Sequence, residues 1–221
     1  MNNVDMVTEF HNIFGHPINT TLQSDIFVKD PKLVHFRISQ IEEEIKEFED
    51  AVSKCDNVEI VDAICDTLYF VYGTMVVFGI PYKKYQHQNY SLNNLCDYID
   101  ILHNHLSSLK NSFMNNNLMQ FIDILYAIEK ECYKIGSLIN VDVDVCFSEV
   151  HRSNMTKVCS TEDDAKKTVS YYLQIYENGD TKYSEPSYRQ KENYFVVYDR
   201  TTSKILKSIN FEKPNLKQFI L

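Results

Sequence analysis

The sequence predicts a mainly α protein: an antiparallel helix bundle carrying a small C-terminal β-hairpin appendage. Three observations lead there. Residues 60–80, IVDAICDTLYFVYGTMVVFGI, are apolar almost without a break and hold two charges, Asp62 and Asp66. A helix apolar on nearly every side belongs in a core. Just upstream, FRISQIEEEIKEFEDA sets Ile38, Ile41, Ile45 and Phe48 on one helical stripe opposite a crowd of carboxylates. Towards the C-terminus, TVSYYLQIYENGDTKY (168–183) and NYFVVYDRTTSKILKSINF (193–211) read as two hairpins, the first turning at Asn178-Gly179.

Taken in order, residues 4–14 predict a short amphipathic helix ended by Gly15 and Pro17. Residues 18–31 read as an extended loop closed by Pro31. A helix follows from about 32 to 54 and another from about 57 to 78, the second stopped by Gly79 and Pro81. Their short link makes them antiparallel neighbours. Residues 91–112 and 116–138 predict two more helices around the Asn-rich turn at 114–117, and 142–150 a short helix leading into HRSN. The expected organisation is a helical catalytic domain over 1–160, with 81–141 a helical insertion that matches no motif, and a small β-rich appendage over 161–221.

The chain has 221 residues and a formal charge of −9. That length can bury a core without disulfides. The acidic balance argues against general nucleic-acid binding, which needs a basic footprint. The six cysteines, Cys55, Cys65, Cys96, Cys132, Cys146 and Cys159, form no CxxC or zinc-type spacing, so a reducing compartment and no disulfide framework are expected. The first residues lack a signal-peptide pattern. The apolar run after Asp66 falls short of the ~20 residues a membrane span needs. The expectation is a cytoplasmic protein without a membrane partner. Abundant Asn, Lys, Ile and Tyr hint at an AT-rich genome such as that of a parasite or a large DNA virus, in which case the compartment is the host cytoplasm.

The carboxylates carry the chemistry. At about 100° per residue, with Glu43 as zero, Glu44 falls at about 100° and Glu47 at about 40°. In the next helix, with Glu59 as zero, Asp62 falls near about −60° and Asp66 near about −20°. Each helix gathers its acids on one wedge, and antiparallel packing can bring the wedges together. Oxygen donors without His or Cys select Mg²⁺ or Mn²⁺. A Glu-rich wedge opposite an apolar stripe is ordinarily a solvated face. Asp62 and Asp66 resist that reading because their helix has little solvated face to offer; Asp62 as a hydrogen-bonded core residue is the alternative.

Glu43-Glu44-Ile45-Lys46-Glu47, an EExxE motif, followed by an acidic DxxxD helix ending in D-x-L-Y, resembles the MazG-like, or phosphoribosyl-ATP pyrophosphohydrolase-like, all-α nucleoside triphosphate pyrophosphohydrolases. VTEFHNIFGHP (7–17), DTLYFVYGTMVVFGI (66–80) and FSEVHRSNMTK (147–157) add to the resemblance, the last like a phage- or virus-type member. One departure stands out. The family's second motif is ExxD; its Asp matches Asp66, but three residues earlier stands Ala63. Asp62 or Glu59 takes the missing acid's place.

The resemblance implies Mg²⁺-dependent hydrolysis of a (d)NTP between its α- and β-phosphates, giving a monophosphate and pyrophosphate. It implies Glu44 as general base, with Glu43 the alternative, and Glu43, Glu44, Glu47, Asp62 and Asp66 as metal ligands, with Mn²⁺ able to stand in for Mg²⁺. General-base help is worth about 10²–10⁴ in rate. His151, Arg152, Asn154 and Lys157 supply cations and donors for phosphate and sugar, against the reading of HRSN as an ordinary loop with Arg152 in a surface ion pair. A homodimer or homotetramer is implied, unless 91–138 completes the bundle in cis. The competing reading is a non-catalytic module that binds a nucleotide or partner, for which Ala63 is the support. Phosphoribosyl-ATP hydrolysis itself fits less well, because the insertion and tail exceed what that compact enzyme needs. His11 and Phe10 read as core, His103 and His105 as solvent-facing, the tyrosines of 171–198 as packing for the appendage, and Lys204 and Lys207 as a solvated edge.

Overall fold

The computed structural model describes residues 1–82, 94–179 and 182–220. It is mainly helical, with one two-stranded antiparallel sheet near the C-terminus. The chain divides into two units. The first comprises Met1–Thr8, Pro17–Val150 and Asn215–Leu221, the second Glu9–His16 and His151–Pro214.

The first unit is built on α3 (Pro31–Ser53) and α4 (Asn57–Phe78). Pro31 sits at the start of α3, where no amide donor is needed, and the Asp30 side chain accepts from Leu33 N at 3.0 Å. Asp56 caps α4 by accepting from the amides of Val58 and Glu59 at 3.1 and 3.3 Å. At the other end Gly79 adopts φ 66°, and the chain at 19–23 lies along the last turn. Asn19 N donates to Val76 O, Asn19 Nδ2 to Val77 O and Gln23 N to Phe78 O. Carbonyls that the helix leaves unpaired are thereby satisfied. The segment read as an extended loop at 18–31 also holds a short helix, α2 (Ile26–Lys29).

Helices α5 (Leu95–Met114) and α6 (Leu118–Leu138) complete this bundle in cis. Residues 91–93, where α5 was expected to begin, lie outside the described residues. His103 Nε2 meets Glu49 Oε2 at 3.0 Å, and Lys110 Nζ donates to Glu42 Oε1 at 2.6 Å; the crossing order makes α5 antiparallel to α3. Tyr72 on α4 donates to Glu129 on α6. From Ile60 to Phe78 every residue of α4 is buried except Asp62, Asp66 and Phe70. By length and composition α4 could cross a membrane, but here it is the central helix of the bundle.

α1 (Asn3–Phe14) and α7 (Val143–Met155) contribute to both units. α7 runs beyond 150 and takes in HRSN, which is helix and not loop. The second unit adds α8 (Glu162–Glu177), β1 (Pro186–Lys191) and β2 (Tyr194–Asp199), paired from Pro186↔Asp199 to Lys191↔Tyr194. The hairpin expected over 168–183 is overturned: most of that stretch is α8. Thr161 caps it by accepting from Asp164 N at 3.1 Å. Its first turn is acidic, and the pairs Lys166–Glu162 and Lys167–Asp163 sit one turn apart. Ala165, Val169 and Tyr172, at helical spacing, pack with Cys159, Val197 and Leu206. The hairpin expected over 193–211 is displaced upstream. Its turn lies at 192–193, with Glu192 at φ 52°, and 204–206 touches β2 through the Tyr198↔Ile205 bridge.

Candidate functional site

The acids of α3 and α4 face one another in the first unit. Glu44 is the innermost, 8% exposed, and among the described residues its Oε2 has no hydrogen-bond partner. Burial, and then the charges of Asp66, Glu47, Glu43 and Asp62, push its pKa from 4.5 up to about 9. Four carboxylates from two helices thus bear on one buried carboxyl. The Glu47 pKa is raised as well, by burial and then by Glu43, Glu59 and Asp50. The pairings 44 with 66 and 47 with 59 run in opposite chain directions, as antiparallel helices require.

Neighbouring cations pass Glu43, Glu44 and Glu47 by. Glu42 takes Lys110 and Glu49 takes His103. Among the described residues no lysine, arginine or histidine pairs with Glu43, Glu44 or Glu47, and Glu43 receives only Gln40 Nε2 at 3.3 Å. Asp62, Asp66 and Phe70 recur every fourth residue and form the one stripe of α4 between Ile60 and Phe78 that is not buried. Ala63, where the motif calls for a carboxylate, is 3% exposed in the core. The stripe therefore presents Asp62 beside Asp66, and the charge of Glu59, one turn earlier on α4, acts on Glu47.

Such a group is repulsive by itself. Like charges and desolvation both favour the protonated form, and a divalent cation is the other means of relief. Among the described residues no three acids, histidines or cysteines stand in a ready-made chelating arrangement. The donor set nonetheless fits a hard cation, being all oxygen, with one buried oxygen unsatisfied and no competing base at Glu43, Glu44 or Glu47.

The other predicted residues, His151, Arg152, Asn154 and Lys157, lie in the second unit. His151 Nε2 meets Glu9 Oε2 at 3.2 Å, and burial lowers its pKa against the pull of Glu9. Arg152 Nη1 donates to Glu212 Oε2 at 2.7 Å, and Lys157 Nζ to Asn154 Oδ1 at 2.6 Å. His11 is buried, and the Phe10 ring is flanked by Phe14 and His16 at 4.2 and 5.8 Å between centroids.

Two features escaped the sequence reading. One is a polar network running from the buried Tyr72 and Glu129 through Tyr133 and Asn3 to the exposed Asp144. The other is Arg37, buried on the packed face of α3. A signal for it existed: seven residues before Glu44, it falls on the same stripe as Ile41 and Phe48, where a charge is out of place.

A family model described as phosphoribosyl-ATP pyrophosphohydrolase matches residues 7–88. An uncharacterized protein of Acanthamoeba polyphaga mimivirus is 33% identical over 243 aligned residues, which cover 99% of this chain and 95% of the relative. No solved structure matches the chain.

Proposed function

This chain belongs to the phosphoribosyl-ATP pyrophosphohydrolase family, and from that membership we propose that it hydrolyses a nucleoside triphosphate between the α- and β-phosphates with Mg²⁺ as cofactor. The family supplies the reaction class, pyrophosphohydrolysis; the nucleotide and the magnesium are our reading. One observation carries it: Glu44 is a buried carboxyl with an unsatisfied oxygen, and acids from both helices converge on it.

Magnesium, when bound, would neutralise the polyphosphate and polarise the phosphoryl group whose phosphorus is attacked. Glu47, Asp62 and Asp66 would hold it together with Glu43. Glu44 Oε2 would accept the proton of the attacking water, with Glu43 as the alternative base. The water oxygen bonds to the α-phosphorus, the α–β phosphoanhydride bond breaks, and its electron pair leaves with the departing pyrophosphate. Burial excludes bulk water from the base and sharpens every charge around it. His151, Arg152, Asn154 and Lys157 are proposed to hold phosphate and sugar, which would require their present pairings to open. We place the enzyme in a cytoplasmic nucleotide pool, the host's if the chain is viral; because α5 and α6 close the bundle in cis, the homodimer or homotetramer implied by the family is not needed to complete it.

A non-catalytic nucleotide- or partner-binding module is the second reading, favoured by Ala63 and by the lack of a preassembled cage. Pyrophosphate release from a panel of dNTPs, with and without Mg²⁺, separates the two. The expected outcome is Mg²⁺-dependent release, lowered by at least about 10² in Glu44→Gln and abolished in Asp66→Ala, both variants remaining folded by circular dichroism. No release from any nucleotide favours the second reading, and full activity in both variants removes the acidic stripe from the reaction.

A further inference from the structure

Among the described residues Arg37 is a buried charge that no acid and no hydrogen-bond acceptor meets. It is 6% exposed, its Nε has no hydrogen-bond partner, and among the described residues it forms no ion pair. Its guanidinium carbon lies 5.9 Å from the centre of the Phe36 ring. Burial pushes its pKa down to about 10, and no neighbouring acid offsets that loss. A buried arginine kept for structure ordinarily holds a carboxylate or helix-end carbonyls, since an unpaired buried charge is costly. The acids Glu42 and Glu43 of α3 lie elsewhere around the helix, about 140° and about 120° from Arg37, where they meet Lys110 and Gln40.

Its position matters as much as its isolation. Seven residues before Glu44 is two helical turns, about 10 Å along the axis and only about 20° around it. One face of α3 thus carries the buried acid at one point and a buried guanidinium two turns away. We propose that Arg37 binds the β- and γ-phosphates of the substrate, the portion released as pyrophosphate; this rests on the reading of the acidic stripe as a triphosphate site. A planar guanidinium offers paired donors to anionic phosphate oxygens. Fixed donors of this kind are most effective where water is excluded. The anion that completes the pair arrives with the ligand, so the free protein leaves the arginine alone.

The test uses the full chain and magnesium pyrophosphate as probe, titrated calorimetrically into wild type, Arg37→Met and Arg37→Lys. It is read with thermal melting, sedimentation and kcat/KM for a dNTP. Arg37→Met is expected to bind magnesium pyrophosphate about 10- to 100-fold more weakly, the value of a charge-assisted hydrogen bond, with kcat/KM falling in proportion. Without ligand it should melt no lower than wild type, having lost no partner. Arg37→Lys should recover part of the affinity. Unchanged pyrophosphate affinity overturns the proposal. So does a lower melting point or an altered mass in Arg37→Met, which would place the arginine's partner within the protein or in a second copy. A wild type that binds magnesium pyrophosphate but turns over no triphosphate would end the proposed reaction and leave Arg37 standing; one that binds none ends both.

Discussion

Glu129 lies in the core at 2% exposure and accepts the Tyr72 hydroxyl at 2.9 Å. Behind it Tyr133 donates to Asp144 at 2.6 Å, and Asn3 Nδ2 donates to both at 3.1 and 2.8 Å. Burial raises the Glu129 pKa from 4.5 to about 7, the Tyr72 hydrogen bond works against that rise, and Asp144 adds to it. The native state therefore keeps a proton that the unfolded chain releases above about pH 4.5. Stability falls as pH climbs from there to about 7, and is level above that as far as this group is concerned. Glu129→Gln keeps an acceptor for Tyr72 and removes the titration. It should be more stable than wild type by roughly 2–3 kcal/mol at pH 8, with the gain vanishing below about pH 4.5. Urea unfolding of both proteins across that range checks it; a pH-independent difference would show that this carboxyl does not titrate there. In sequence Glu129 is one acid in LYAIEKECY, and its partner Tyr72 is 57 residues away, so nothing local marks it. Glu44 was legible in type and neighbourhood from helical spacing, and its wheel angle, about 40° from Phe48, already set it nearer the apolar stripe than Glu43 or Glu47; what the wheel could not show is how far the partner helix covers it.

At the level of elements, the ends of α3 and α4 are written in single residues, Pro31 and Asp30 for one, Asp56 and Gly79 for the other, and both helices lie within a residue of where the sequence puts them. Gly79 has two tasks. Its φ of 66° is left-handed, and a Cβ there would stand 2.0 Å from Thr21 O. Gly79→Ala must therefore dislodge the chain at 19–23 from the end of α4 and is expected to cost well over 1 kcal/mol. Asp56→Ala at the opposite end loses only a cap, about 1 kcal/mol. Thermal melts of the two variants rank them; a milder loss in Gly79→Ala would mean that 19–23 does not grip the helix. α8 was misread for an equally physical reason. TVSYYLQIY is rich in residues that favour strands, yet the Thr161 cap, the acidic first turn and the burial of Ala165, Val169 and Tyr172 outweigh that preference. The signals lay at the start of the segment, upstream of the residues that suggested a strand.

Across the molecule, the acids of the candidate site are also its internal strain. In a chain of charge −9, the helical unit sets the charges of Asp66, Glu47, Glu43 and Asp62 on Glu44, and those of Glu43 and Glu59 on Glu47. This clustering is nonlocal, as are the units themselves: residues 9–16 join the C-terminal part of the chain and 215–221 return to the helical unit, which no reading along the chain exposes. If the acids are a divalent-cation site, a ligand that binds only the native state must stabilise it. At a hundredfold excess over Kd the gain is about 2.7 kcal/mol, or about 5–10 °C in Tm for a domain of this size. Screening alone also relieves repulsion between exposed charges, so NaCl at matched ionic strength is the control. Mg²⁺ should raise Tm beyond NaCl, a non-hydrolysable triphosphate with Mg²⁺ should raise it further, and the triphosphate without Mg²⁺ should not. Glu44→Gln and Asp66→Asn should each lose most of the Mg²⁺ increment, and the amides slowed in hydrogen exchange should be those of α3 and α4. Equal shifts from Mg²⁺ and NaCl would reduce the acidic stripe to an ordinary charged surface, because screening does not distinguish a site from a patch whereas coordination does.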